Sequence, residues 1–180
     1  AQMYVFSILG LTECCLLAAM AYDRFVAICH PLHYSLLMGP GVCLKLAAAS
    51  WTTGVMVESA QTTWIFTLPF CGTGRIQHFF CDTPPVLSLA CGDTALSELG
   101  ILILSLLVLL VSFSLISVSY TYILATILRI SSTKGQKKAF STCTSHLTAV
   151  TLFYGTVTFV YVIPKSSYSP DHIKVVSVFY

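Results

Sequence analysis

The sequence predicts an all-α membrane protein, and three observations support that prediction. Of the 180 residues, 56% are hydrophobic and only 9% are charged, whereas soluble domains carry roughly 25% charged residues. The apolar residues are gathered into four runs, each long enough to cross hydrocarbon as a helix of about 20 residues. The charged residues lie mainly between these runs. An ordinary soluble enzyme, a disordered tail and a nucleic-acid-binding protein are excluded, because each needs a charged surface that this chain lacks.

The four runs occupy residues 4–22, 46–70, 99–128 and 139–164. The first two contain one acidic residue each, and the other two contain no Asp, Glu, Lys or Arg. Hydrocarbon offers no water to the backbone, and a spanning strand would be about half as long, so these runs are predicted to be helices. A fifth apolar run begins at Val175. The sequence therefore predicts four crossings and the beginning of a fifth.

The orientation of the helices follows from the distribution of charge. Residues 129–138 carry four basic residues and no acid, and Arg24 and Lys45 follow the first run. The positive-inside rule places both of these loops in the cytoplasm. Residues 69–97 are then predicted to lie outside, and they contain three cysteines, which is typical of an oxidising compartment.

The three cysteines of this loop, Cys71, Cys81 and Cys91, cannot all pair within it. One of them needs a partner elsewhere or stays a free thiol. A zinc site that includes His78 is the alternative, but the even spacing of the cysteines matches no paired zinc-ligand pattern. The residues alone leave the pairing open.

Six short motifs occur along the chain in a fixed order. They are MAYDRFVAICHPLHY at residues 20–34, LPFCG at 68–72, HFFCD at 78–82, SY at 119–120, KAFSTCTSHL at 138–147 and FYGT at 153–156. Together they resemble the signatures of odorant receptors, a group within the rhodopsin-like G-protein-coupled receptors. One position departs from the family pattern, because Phe25 stands where the family usually has Tyr.

The resemblance implies that the chain is a fragment of a seven-transmembrane helix bundle. Helices one and two, most of helix seven and both termini are expected to lie outside this sequence. The expected segments are helix three at about 1–28, helix four at about 44–68, extracellular loop two at about 69–97, helix five at about 98–128, cytoplasmic loop three at about 129–138, helix six at about 139–163, extracellular loop three at about 164–173 and the start of helix seven at about 174–180.

The resemblance also implies which residues couple to a G protein. In such receptors the Arg of the helix-three motif is held by the neighbouring Asp at rest, and it is released toward a Tyr of helix five when helix six swings outward. These roles fall to Asp23, Arg24 and Tyr120, while the moving inner part of helix six carries Lys137, Lys138 and His146. Alone, the Asp–Arg pair would also fit snorkelling to lipid headgroups, and the lysines also fit positive-inside anchoring.

The ligand site is expected in the outer half of the bundle, about 21 Å from the coupling motif. Its residues share one face of helix three and, by resemblance, the inward faces of helices five and six. They are Phe6, Ser7, Gly10, Leu11 and Cys14, then Ile101, Leu104, Ser105 and Val108, then Tyr154, Val157, Thr158 and Tyr161. This lining is apolar with a few hydroxyl groups and no basic residue, which suits a small uncharged volatile. At any single position, plain helix packing is the alternative.

Two acidic residues lie within the runs, where a carboxylate costs at least about 2.5 kcal/mol. Glu13 resembles the family's acidic position that faces helices two and seven and can help hold a sodium ion, the only cofactor-like ligand expected. Glu58 lies three residues before Gln61. It is interpreted as a protonated packing residue in preference to a polar contact at the edge of the pocket.

The resemblance implies a disulfide pattern as well. Cys71 and Cys91 are expected to pair with each other, and Cys81 with a helix-three cysteine that precedes this sequence. Closing a loop of about twenty residues stabilises the fold by about 3 kcal/mol in the chain-entropy model.

The function expected from these observations is that of an odorant receptor in the plasma membrane. Its partners would be a small volatile odorant, a heterotrimeric G protein of the olfactory stimulatory type and the lipid bilayer, without nucleic acid. An enzyme is not expected, since no H-E-x-x-H, G-x-S-x-G or paired catalytic Asp motif occurs. The alternative is a membrane scaffold or a transporter fragment in which Glu13 and Glu58 line a pathway, although no inverted repeat is visible.

Overall fold

A computed structural model describes residues 2–69 and 95–162, and this part of the chain is helical without strands. The all-α class is therefore confirmed. The helices are α1 (Gln2–Cys29), α2 (Tyr34–Leu37, preceded by a 3-10 turn at Pro31–His33), α3 (Pro40–Phe66), α4 (Ala95–Leu128) and α5 (Thr133–Val162). Most of the expected extracellular loop two, with Cys71, Cys81 and Cys91, lies outside the described residues, while its last residues, 95–97, already belong to α4. The expected extracellular loop three and the side chain of Tyr161 also lie outside the described residues.

The start of α5 differs from the sequence-based expectation. Residues 133–138 were expected in a loop but form the first turns of the helix, so Lys137 and Lys138 are helical. Apolarity marks only the lipid-embedded part of a helix, whereas Lys and Gln favour helix in water too. In addition, the side-chain amide of Gln136 donates to the Ile130 carbonyl at 2.9 Å and to that of Ile127 at 3.3 Å. These bonds join the start of α5 to the end of α4.

Helix α1 lies at the centre of the described bundle and packs against α3, α4 and α5. Three apolar clusters follow its length. The outer cluster is Met3, Ile65 and Ile101. The middle cluster is Cys14, Leu17, Ala18, Ala21, Ile116, Val150, Phe153 and Val157. The inner cluster is Ile123, Ile127 and Cys143, against which Phe25, Ile28 and Cys29 pack. The three clusters therefore lie at three successive levels along α1.

The crossing of α1 and α3 depends on Gly54. A Cβ atom built on this glycine would lie 3.1 Å from the Ile8 carbonyl oxygen and 3.3 Å from the Thr12 backbone nitrogen, and it would overlap the Thr12 hydroxyl. The absence of a side chain at Gly54 therefore lets the two helix backbones approach closely. This contact fixes the level at which the residues of α3 meet those of α1.

Two of the described helices, α1 and residues Leu99–Leu128 of α4, are long and apolar enough to cross a membrane. Length and composition alone would also admit a buried helix of a soluble protein, but α4 exposes most of its large apolar side chains in the described part of the chain. Soluble monomers rarely expose apolar patches of that extent. Lipid or further helices are needed to cover this surface.

Helices α3 and α5 are less apolar because they carry many hydroxyl groups. Many of these hydroxyls donate to the carbonyl four residues earlier on the same helix, as Thr63 does to Ser59 and Thr148 to Thr144. A hydroxyl paired in this way needs no water. The expected crossings by α3 and α5 stay predictions that this bonding supports.

Candidate functional site

Three polar side chains meet in the middle cluster, one from each of α1, α4 and α5. The Ser112 hydroxyl lies 2.8 Å from the Tyr154 hydroxyl and 2.7 Å from the Cys14 sulfur. Ser112 donates its own proton to the Val108 carbonyl at 2.7 Å, so its oxygen accepts from Tyr154 and Cys14. Cys14 is only 1% exposed. The cluster is a buried polar link between the three helices.

The ring of Tyr154 is held by two further aromatic side chains. Its centroid lies 5.2 Å from that of Phe113 on α4 and 5.3 Å from that of Phe153. Both are favourable tilted or edge-on arrangements. Sequence reasoning selected Cys14 and Tyr154 but missed Ser112. The stripe 101, 105, 108, 112, at helical spacing along α4, is the signal that could have found it.

The other expected lining residues are distributed over two levels. Val108 and Val157 join Cys14 and Tyr154 at the middle cluster, whereas Ile101 packs in the outer cluster against α1 and α3. Thr158 is exposed in the described part of the chain. The remaining expected positions are half-buried, and they are Phe6, Ser7, Gly10, Leu11, Leu104 and Ser105. Their role in binding stays a prediction.

Helix α3 contributes buried polar side chains close to the expected ligand site. Gln61 is 5% exposed, and its amide donates to the Ser105 hydroxyl oxygen at 3.3 Å. Glu58 is 2% exposed, and one of its oxygens accepts from Thr62 at 3.0 Å. In contrast, Glu13 is exposed on a face of α1 that α3, α4 and α5 leave uncovered. A sodium ion at Glu13 stays a prediction.

The half of the bundle nearer the Asp-Arg motif contains a second link between the same three helices. The Tyr120 hydroxyl lies 2.8 Å from Nδ1 of His146, and Nε2 of that ring lies 3.1 Å from the Leu17 carbonyl oxygen. Because a carbonyl only accepts, Nε2 carries the proton and Nδ1 accepts from Tyr120. The two rings also stack at 5.7 Å. The imidazole is 3% exposed and, in its neutral form, connects α1, α4 and α5.

The Asp-Arg motif, which is expected to couple to the G protein, lies in the last turns of α1. Arg24 Nη1 is 3.8 Å from Asp23 Oδ2, and the Tyr34 hydroxyl donates to Asp23 Oδ1 at 2.9 Å. This hydrogen bond, together with the carboxylate charge, raises the pKa of Tyr34. Sequence reasoning quoted Tyr34 within the motif without giving it a role. The carboxylate of Asp23 is therefore contacted by both Arg24 and the loop after α1.

Phe25, the departure from the family pattern, packs edge-on against Tyr122 and His30, with centroid distances of 5.9 Å and 5.5 Å. The ring thus fills an aromatic contact between α1 and α4 without a hydroxyl group. Lys137 and Lys138 are exposed at the start of α5. The structure brings Tyr120 and His146 together, while both lysines lie nearer the start of α5.

A central helix that ends in an Asp-Arg motif and packs among apolar helices is the arrangement expected of a seven-transmembrane G-protein-coupled receptor. The family model described as olfactory receptor matches residues 1–179. Human olfactory receptor 10Z1 is 58% identical over 180 residues, which are 100% of this chain and 58% of that protein. Human olfactory receptor 10A3 is 54% identical over 180 residues, 100% of this chain and 57% of that protein. The chain belongs to the olfactory receptor family.

The family assignment settles the coarser expectations. The chain is a fragment of a seven-transmembrane receptor, it is a multi-pass membrane protein, and it is not an enzyme. It spans a little over half the length of these relatives, and the same holds for human olfactory receptor 10C1, which is 55% identical over 99% of this chain and 57% of that protein. The disulfide pairing stays a prediction.

Proposed function

We propose that the chain is the ligand-binding and coupling portion of an odorant receptor of the plasma membrane. It binds small, mostly apolar volatiles and activates a stimulatory heterotrimeric G protein. One observation carries the proposal: α5 holds Tyr154 at the level of the expected pocket and His146 at the coupling level. These residues are eight positions apart, about 12 Å along the helix axis. A displacement of α5 at the level of Tyr154 therefore also moves His146.

The pocket level suits an uncharged ligand. The expected lining contains no Lys or Arg, so affinity comes mainly from buried apolar area with one or two hydrogen bonds. The hydroxyl of Tyr154 is bound to Ser112, and its ring is held by Phe113 and Phe153. A ligand that contacts Tyr154 weakens its hydrogen bond to Ser112 and favours a different position of α5.

The coupling level is consistent with a resting arrangement. Tyr120 is bound to His146, and Asp23 contacts Arg24. An outward swing of α5 separates His146 from both Tyr120 and the Leu17 carbonyl, after which Tyr120 is free to reach Arg24. An agonist produces this change only if it binds the open state more tightly than the resting one. Lys137 and Lys138 at the cytoplasmic end of the moving helix then meet the G protein.

The test is made in a completed receptor, in which this chain is joined to the flanking segments of human olfactory receptor 10Z1. A panel of volatiles is screened with a cyclic-AMP reporter while surface delivery is measured by an amino-terminal tag. We expect at least one volatile to raise cyclic AMP. Arg24→Ala is expected to abolish that response at matched surface level.

Arg129→Ala is the matched control, because Arg129 is an exposed cytoplasmic arginine at the end of α4. This variant should respond normally. A normal response of Arg24→Ala would contradict the coupling role. A surface-delivered receptor that answers to no volatile would contradict the proposed function as a whole.

A further inference from the structure

We propose that Gln61 positions Ser105 as a hydrogen-bond donor to the odorant, so that the pocket selects volatiles bearing a carbonyl or ether oxygen over hydrocarbons of the same shape. This inference rests on the proposed function and adds a specificity-determining pair to it. Gln61 lies on α3, outside the set of residues that the sequence assigned to binding. Its hydrogen bond to Ser105 is the observation that adds Gln61 to the expected site.

The first step is the location of the pair. Gln61 lies one turn below Ile65 on α3, and Ser105 lies one turn below Ile101 on α4. Ile65 and Ile101 belong to the outer cluster, whereas Val108, one turn further down α4, packs against the middle cluster. The Gln61–Ser105 bond therefore lies between two apolar clusters, at the level of the expected ligand site.

The second step is the state of the Ser105 hydroxyl group. Its oxygen accepts from the Gln61 amide at 3.3 Å. Elsewhere on the same helix, Ser112 and Ser114 donate to carbonyl oxygens of the preceding turn at 2.7 Å. Among the hydrogen bonds of the described residues, Ser105 donates none. Its proton is therefore available, while one of its two lone pairs is occupied.

The third step is the chemistry of the ligand. A hydroxyl that already accepts a hydrogen bond is polarised and becomes a better donor. A donor in an apolar pocket discriminates by the cost of leaving it unpaired, so a ligand with an acceptor oxygen is preferred over one without. Because Gln61 is almost fully buried, its amide has little freedom to turn away from Ser105. The pair is thus preorganised for a carbonyl or ether group.

The experiment compares odorants in pairs, each an aliphatic ketone, aldehyde or ester with the hydrocarbon of the same chain length. In the completed receptor, Ser105→Ala should raise the half-maximal concentration of the oxygenated odorants about fivefold to tenfold, the loss of one neutral hydrogen bond. Gln61→Leu should produce a similar shift, since the freed hydroxyl then turns to its own backbone. The double variant should be no worse than Ser105→Ala alone, and Ser105→Thr should retain the response.

Thr63→Val and Ser114→Ala are the matched controls. Both residues are exposed on the same two helices, and both are bonded only to their own helix in the described part of the chain. Neither variant should change odorant preference. If Gln61→Leu shifts the oxygenated and hydrocarbon responses equally, or shifts neither, or if hydrocarbons are the preferred ligands of the parent receptor, this inference is overturned while the proposed function stands. If the surface-delivered parent receptor answers to no volatile, both fail.

Discussion

The close approach of α1 and α3 at Gly54 provides the sharpest prediction of stability, and it concerns Gly54→Ala. The new Cβ would overlap the Thr12 hydroxyl and lie 3.1 Å and 3.3 Å from backbone atoms of Ile8 and Thr12. Overpacking a well-packed site costs about 1–3 kcal/mol. The upper end applies here, because two of the three contacts are to backbone, which cannot rotate away. We expect the free energy of unfolding to fall by about 3 kcal/mol. This change is measured as a lower midpoint of thermal unfolding in detergent and as reduced surface delivery.

The matched control is Gly155→Ala, because a Cβ at Gly155 has no neighbour within 4 Å. Alanine also favours helix over glycine by about 1 kcal/mol, so this variant should be neutral or more stable. Thr12→Ala removes a buried hydroxyl that has no hydrogen-bond partner in the described part of the chain. Combined with Gly54→Ala, it should restore part of the lost stability, because the new Cβ no longer overlaps this hydroxyl. A Gly54→Ala receptor as stable as Gly155→Ala would refute the close approach of α1 and α3.

Two further predictions concern the coupling link and the extracellular loop. His146→Phe keeps a ring against Tyr120 but removes both nitrogen contacts, each worth about 1 kcal/mol, so the resting state is destabilised and basal cyclic AMP should rise about tenfold or more. The control is His33→Phe, because His33 is exposed. An unchanged basal level in His146→Phe would contradict the link. Non-reducing peptide mapping of the completed receptor should find Cys71 joined to Cys91, and a different pairing or freely alkylated thiols would contradict the expected loop structure.

The sequence was sufficient for the helices and for part of the site, but not for the contacts between helices. Charge-free runs predict helices because hydrocarbon permits little else, and helical spacing placed Cys14 on an inward face. The stripe on α4 could have placed Ser112 on an inward face, but its pairing with Cys14 could not be predicted, since the level at which α4 meets α1 depends on packing along both helices. The same applies to Gln61, whose bond with Ser105 depends on the level at which α3 meets α4. The start of α5 was misplaced because polarity marks the edge of the lipid and not the end of a helix.

The hydrogen bonds that α4 makes to its neighbours follow a regular pattern. Among the described residues they involve four of its side chains, spaced at intervals of about two turns, which are Ser105, Ser112, Tyr120 and Thr126. Between apolar helices in lipid, packing alone selects one register weakly, so such bonds help to fix the level of each neighbour. The bonds at the two ends of this series, to Gln61 of α3 and Cys29 of α1, do not involve α5.

The two bonds in the centre of the series are the ones that α5 shares, through Tyr154 and His146. In the proposed activation, an outward movement of α5 breaks this central pair and the bond from His146 to the Leu17 carbonyl, while the bonds at the two ends of the series keep α1, α3 and α4 in register. The expected pocket level adjoins one of these central bonds, and the coupling motif adjoins the other. This arrangement allows a ligand of modest affinity to act, because the energy it must supply is that of the few bonds between α5 and its neighbours and the packing around them, and not that of separating the whole bundle.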